Sequence, residues 1–165
     1  MIELIKRDKR AKRSVEEAEH DIIELFAKIY SETVKAIEQK YNQEGFELVR
    51  DTFMRVMVEG WKKQYEGMEK RDLKTFVNWL LDMITSSAKY EVVEDKQNSI
   101  RLKFTECPWA DAFRKVGYPE IGKFFCDGDF PMVEAFNKKI KFERTKILMD
   151  GDSCCNHHYY TENND

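Results

Sequence analysis

The stretch "SIRLKFTEC", residues 99–107, decides the fold. Ile100, Leu102 and Phe104 alternate with Arg101, Lys103 and Thr105, the period-two pattern of a strand with one buried and one solvated face. "YEVVED" (90–95) precedes it across the polar "KQN", so the two runs read as a half-buried antiparallel hairpin. Upstream the period is different. Ser14-Val15-Glu16-Glu17 is a capping box that opens a helix. Ile22, Phe26, Ile29, Thr33 and Ile37 then recur at helical spacing as one apolar face. Gly45 marks a break, Phe46, Val49, Phe53, Val56, Met57 and Trp61 form a second stripe, and "EGMEKRD" is a turn. Leu73, Phe76, Val77, Leu80, Leu81 and Ile84 form the third.

Downstream of the hairpin, "WADAFRKVG" reads as a short helix stopped by Gly117. "YPEIGKFFCDGDFPMVEAFN" holds one or two short helices around a loop at "CDGDFP". "KIKFERTKIL" is β-rich and runs into a turn at Gly151-Asp152, ahead of a last strand-like stretch. The expected class is therefore α+β: a helical N-terminal half (1–89) packed on a C-terminal antiparallel sheet with short helices (90–160). No repeat or low-complexity linker divides the 165 residues, so one domain is expected.

Charged residues make up 36% of the chain, yet the net charge is only −3. Such a balance argues against a nucleic-acid partner, which needs a basic excess on one face. The one basic cluster, "KRDKRAKR" (6–13), reads as a solvated helix start. No run approaches the apolar length of a membrane span, and the first residues lack a signal-peptide core. A cytoplasmic protein is expected, with reduced cysteines and no membrane partner. The amphipathic N-terminal helices, carrying both charge signs, fit a homo-oligomer contact. His20 beside the first stripe reads as a surface or capping residue.

All four cysteines, Cys107, Cys126, Cys154 and Cys155, lie in the second half, and His157 and His158 sit beside the last pair. Cys155 and His157 are two apart and share a strand face, whereas Cys154 and His158 point to the other. Ends of strands and loops at a sheet rim can converge. Cys107, Cys126, Cys155 and His157 form the most economical zinc set, although 19 and 29 residues separate the successive cysteines and no C-x-x-C pair occurs. The same groups allow nucleophilic chemistry, with Cys126 as thiolate, His157 as base, and Asp129 or Asp127 orienting it. Separately buried thiols, with Asp127-Gly128-Asp129 as a plain turn, are the alternative.

The run "CPWADAFRKVGYPEIGKFFCDGDFPMVEAFNKKIKFERTKILMDGDSCCNHHY" resembles the L-2-amino-thiazoline-4-carboxylic acid hydrolase-like family. The resemblance rests on Cys107, Gly117 with Pro119, Cys126 with Asp129, Phe136-Asn137, Thr145, and Gly151-Asp152 with Cys155 and His157. Cys154 and His158 have no counterpart in that pattern. The closing G-D-x-x-C also resembles the end of 4-vinyl-reductase-type ligand-binding domains. The family resemblance implies hydrolytic opening of a small cyclic amidine-like ring at a C–N or C–S bond. It also implies clustering of Cys107, Cys126, Asp129, Cys155 and His157. A zinc ion at the cluster would polarise water, but four protein ligands would leave it no open position. Arg144 or Arg114 is the cation available to a substrate carboxylate, although a solvated surface role is the default for both. The second reading is a non-catalytic sensor domain that holds a metal or small ligand.

Overall fold

A computed structural model describes residues 14–84 and 86–162. The basic cluster at 6–13 lies outside the described residues. Helix α1 (Val15–Tyr65) opens with the expected capping box: the Ser14 hydroxyl accepts from the Glu17 amide at 3.0 Å, and the Ser14 amide donates to Glu17 Oε2 at 2.9 Å. Two orphan amides are thereby satisfied. The break in α1 falls at Asn42, not at Gly45. Asn42 takes φ 56° and ψ −149°, a conformation costly for a residue with a side chain. Gly45 stays helical, in a place so tight that a Cβ there would meet Tyr41 Cβ at 2.8 Å. Helix α2 (Leu73–Met83) follows, started by Asp72, whose carboxylate accepts from the Thr75 amide at 2.8 Å.

The hairpin is present, but only its second strand is half-buried; the first, with Val92 and Val93 53% and 60% exposed, is open to solvent on both faces. Strands β1 (Lys89–Lys96) and β2 (Ser99–Glu106) pair antiparallel, and Ile100, Leu102 and Phe104 are buried. Three short helices come next, α3 (Pro108–Lys115), α4 (Pro119–Asp127) and α5 (Asp129–Phe136). The expected loop at "CDGDFP" is reduced to a single joint. Gly128, at φ −60° and ψ −23°, ends α4 and starts α5 without leaving helical space. Strand β3 is only Ile140–Glu143, shorter than the β-rich stretch suggests, because residues 144–147 leave the ladder before a 3-10 turn at Leu148–Asp150. Gly151 turns the chain at φ 94°, where a side chain would be strained, into β4 (Cys155–Thr161). The sheet order is β1-β2-β4-β3, antiparallel throughout, so the fold is α+β.

Two apolar clusters result. One lies under the sheet, where Trp61 and Tyr65 of α1 and Phe76 and Leu80 of α2 meet Ile100, Leu102 and Tyr159. The other lies between the first part of α1 and helices α3 and α4, around Ile23, Ala27, Val34, Phe113 and Phe124. The first stripe read from sequence is not the buried one. Ile22 and Ile29 are 68% and 59% exposed, whereas Ile23, Ala27 and Val34 are buried. Small residues on that side let α3 and α4 approach closely, and that gain outweighs burial of the larger isoleucines. The third stripe holds, with Leu73, Phe76, Val77 and Leu80 all buried. His20 is exposed. Among the described residues, no helix is long and apolar enough to cross a membrane.

Candidate functional site

Side chains from five segments converge where the two clusters meet. Cys107 follows β2 directly and occupies the N-cap position of α3. Cys126 is in the last turn of α4, not in a loop. Asp129 is the first residue of α5, and Arg144 follows β3. Cys155, His157 and Tyr159 share the core face of β4, opposite Phe104, Leu102 and Ile100 of β2. The alternation read from sequence therefore places Cys155 and His157 correctly. His158 faces away, bonded to the Ser99 hydroxyl at 3.0 Å and stacked on Tyr160.

At the centre is an ion pair. Arg144 Nη1 donates to Asp129 Oδ2 at 2.6 Å, and Arg144 Nη2 donates to the Cys126 carbonyl at 3.1 Å. The Arg144 side chain is only 2% exposed. Its guanidinium carbon lies 5.7 Å from the Phe130 ring and 5.6 Å from that of Phe142, close enough for cation–π attraction to both. The surface role expected for this arginine is thus wrong, because β3 ends early and turns residue 144 inward. Its Nε is buried and has no hydrogen-bond partner among the described residues. Arg114, the other candidate cation, is exposed and donates to the Leu148 carbonyl at 3.3 Å.

The closing motif builds the support for this arginine. Asn156 Oδ1 accepts from the Thr145 and Lys146 amides at 3.0 and 2.6 Å. Asp152 Oδ2 accepts from the Ile147 amide at 2.8 Å, and Cys155 Sγ from the Leu148 amide at 3.2 Å. Four consecutive amides outside the ladder are thereby satisfied, which fixes the segment that begins with Arg144. Asp152 and Cys155 are both in the G-D-x-x-C pattern, and their visible work is positional. Asn137 is similarly structural, donating to the Arg71 carbonyl at 2.6 Å.

Burial governs the charges. It pushes the Asp129 carboxyl up to about 7, against the pull of the adjacent Arg144 guanidinium. His157 sits among the rings of Phe104 and Phe142, 4.9 and 5.1 Å away, and burial followed by the Arg144 charge lowers it to about 3. It is neutral at physiological pH. Its Nδ1 meets the Tyr159 hydroxyl at 2.8 Å, and its Nε2 stands 3.9 Å from Asp129 Oδ2, beyond hydrogen-bond reach. Burial holds the Tyr159 phenol well above its usual range, so it is protonated and can donate to Nδ1. That tautomer puts the imidazole proton on Nε2, facing the carboxylate.

The thiols behave alike. Burial raises Cys126, with the Asp129 charge adding to the effect, and raises Cys107 and Cys155, the last to about 11. The charges of Cys107 and Cys155 add to the rise at Cys126, and that of Cys107 to the rise at Cys155. No hydrogen bond joins Cys126 Sγ to His157 among the described residues. Nor, among the described residues, is any group of three or more His, Cys, Asp or Glu arranged to hold a metal ion. The set Cys107, Cys126, Cys155 and His157 is not among such groups. Cys154 is buried just outside β4.

Sequence reasoning missed Tyr159 and Asn156. Tyr159 carried a signal, because it continues the two-residue alternation from Cys155 through His157. Next to the ion pair, the rings of Phe130 and Phe142 form one wall of a surface groove of about 540 Å³, also lined by Pro131, Val133, Glu134 and Ile140.

The profile of the L-2-amino-thiazoline-4-carboxylic acid hydrolase family matches residues 22–159. No curated protein matches the chain. A solved trafficking protein particle complex subunit 3 from Naegleria fowleri, covalently bound to palmitic acid, is 13% identical, with a TM-score of 0.48 over 87% of this chain and 96% of that one. A mutant Fe(II) unliganded H-NOX protein from K. algicida is 14% identical, with a TM-score of 0.28 over 88% of this chain and 64% of that one.

Proposed function

Because the chain belongs to the L-2-amino-thiazoline-4-carboxylic acid hydrolase family, we propose that it hydrolyses a C–N or C–S bond of a small carboxylate-bearing heterocycle at the Asp129–Arg144 pair. The observation that carries this reading is a buried guanidinium whose Nε lacks a partner beside a carboxyl that titrates near 7. A buried cation with spare donor capacity suits an anionic substrate group. A carboxyl poised near neutrality can take and return a proton within one turnover.

The chemistry needs only water. Asp129 accepts a proton as water adds to the amidine carbon of the ring, giving a tetrahedral centre. That proton then goes to the departing ring nitrogen or sulfur as its bond to the centre breaks. The product holds all the substrate's atoms plus one water. Arg144, donating to Oδ2 at 2.6 Å, keeps the carboxylate turned to the reacting centre, and His157, held by Tyr159, supplies a neutral wall beside it. Cys126 does not attack in this scheme, because its thiol is held protonated. It contributes its carbonyl to Arg144 and a dry wall to the site.

The test is incubation with 2-amino-thiazoline-4-carboxylate, followed by mass spectrometry for the ring-opened carbamoyl product. Asp129→Asn is expected to lower kcat by about 1,000-fold, and Cys126→Ser by less than about 10-fold. Activity should rise with pH through about 7 as Asp129 ionises. Full activity in Asp129→Asn, or none in Cys126→Ser with the fold intact, sinks the scheme. The sensor reading draws on one observation, the protonated state of all three thiols, which suits a ligand site as well as an active one. Tight binding of the carboxylate with no product would favour it.

A further inference from the structure

We propose, resting on the hydrolase reading above, that the groove between α5 and β3 is a second subsite of the same site and selects substrates whose heterocycle carries an aryl group. Phe130 and Phe142 belong to both places. Their ring centres stand 5.7 and 5.6 Å from the Arg144 guanidinium carbon and 4.9 Å from each other, and both rings line the groove. Val133 and Ile140, both buried, form its base. Exposed Glu134, Lys138 and Lys141 stand along its rim. A ligand held by a carboxylate at Arg144 therefore has an apolar surface continuous with its binding point.

Size and lining choose the occupant. The groove, about 540 Å³, falls within the range of small-molecule pockets. Its walls are an eight-residue helix and a four-residue strand, each about 12–13 Å long. That is too short for a protein partner, which covers roughly 800 Å². The 2-amino-thiazoline ring with its carboxylate is small and largely polar, so alone it leaves the Phe130 ring, 48% exposed, in water. A phenyl group on the ring carbon beside the carboxylate-bearing one covers that surface and can meet Phe130 and Phe142 edge-on or offset. The rim charges stay solvated, so no charge has to be buried.

Titration calorimetry on the full chain tests this with two flat analogues that hydrolysis does not open, 2-aminothiazole-4-carboxylate and its 5-phenyl derivative. The phenyl compound is expected to bind about 20-fold more tightly. In Phe130→Ala that advantage should fall to about 2-fold. In methyl-resolved NMR of the wild type, the phenyl compound should shift the Val133 and Ile140 resonances and the parent compound should leave them in place. This second measurement needs no variant. Equal affinity for the two compounds overturns the proposal, as does an advantage that survives Phe130→Ala with those methyls unmoved. Binding of neither compound overturns it together with the hydrolase reading. The two otherwise fail separately: a phenyl advantage without turnover of the thiazoline sinks only the reaction, and turnover without the advantage sinks only the subsite.

Discussion

Trp61, Tyr65 and Phe76 close one core with large rings against the sheet, whereas α1 brings small, fully covered Ala27, Ser31 and Val34 to the other, and the rings there come from Phe113 and Phe124 of α3 and α4. The sheet-side core is tightly ringed: Tyr65 meets Phe136 edge-on at 4.9 Å, and Phe76 meets Tyr159 at 5.3 Å. The helical core leaves the Ser31 hydroxyl and the Tyr30 phenol buried with no hydrogen-bond partner among the described residues. One is held by size and the other by close approach. Their tolerance to change should therefore differ.

The largest break comes from the ring side. Phe76→Ala should cost about 4 kcal/mol in urea unfolding, the range for emptying a fully buried phenylalanine site. A loss below about 1 kcal/mol would show that the sheet side can collapse around the gap.

The second test uses acid. His157 is lowered to about 3 from an ordinary 6.5, so its contribution is present above 6.5 and lost as pH falls toward 3, by about 5 kcal/mol. Asp129, raised from 3.8 to about 7, works the other way. Its contribution is complete below 3.8 and is lost as pH rises through 7. The two oppose each other between about pH 4 and 6.5. In His157→Gln only the Asp129 slope remains, so stability should rise as pH falls through that window. A flat profile in that variant would remove burial of Asp129 from the account.

On the helical side, Gly122→Ala should cost about 2 kcal/mol by overpacking, since the added Cβ would stand 2.7 Å from Phe113 Cβ and 2.6 Å from Met149. A neutral outcome would mean that the Met149 end simply moves aside. The smallest effect is expected at Val56, which is 54% exposed although it belongs to a sequence stripe. Val56→Ala should change stability by no more than about 0.5 kcal/mol.

The same contrast explains what could be read without coordinates. The hairpin, the α2 stripe and the shared face of Cys155 and His157 follow from large residues at strict spacing, where burial dominates. The α1 seam did not follow, because Ala27 and Ser31 weigh little on a hydrophobicity count while Ile22 and Ile29 weigh much. In the site, the reading names Asp129 and His157, which stand 3.9 Å apart, and Cys126, whose carbonyl meets the same arginine as Asp129. Arg144 was assigned to solvent because nothing in "FERTKIL" announces that its strand stops after Glu143. Its burial depends on Asp152, Cys155 and Asn156 holding the next four residues, a long-range condition.

Beyond Asn42, α1 stays helical to Tyr65, with Phe46, Val49 and Phe53 in one cluster and Met57, Trp61 and Tyr65 in the other. This span is a splint laid across the boundary, so the two cores are kept from parting like a hinged shell. What remains uncovered beside the carboxylate and guanidinium is the β3 margin, where the Phe130 ring, 48% exposed, lies over Arg144 outside both cores.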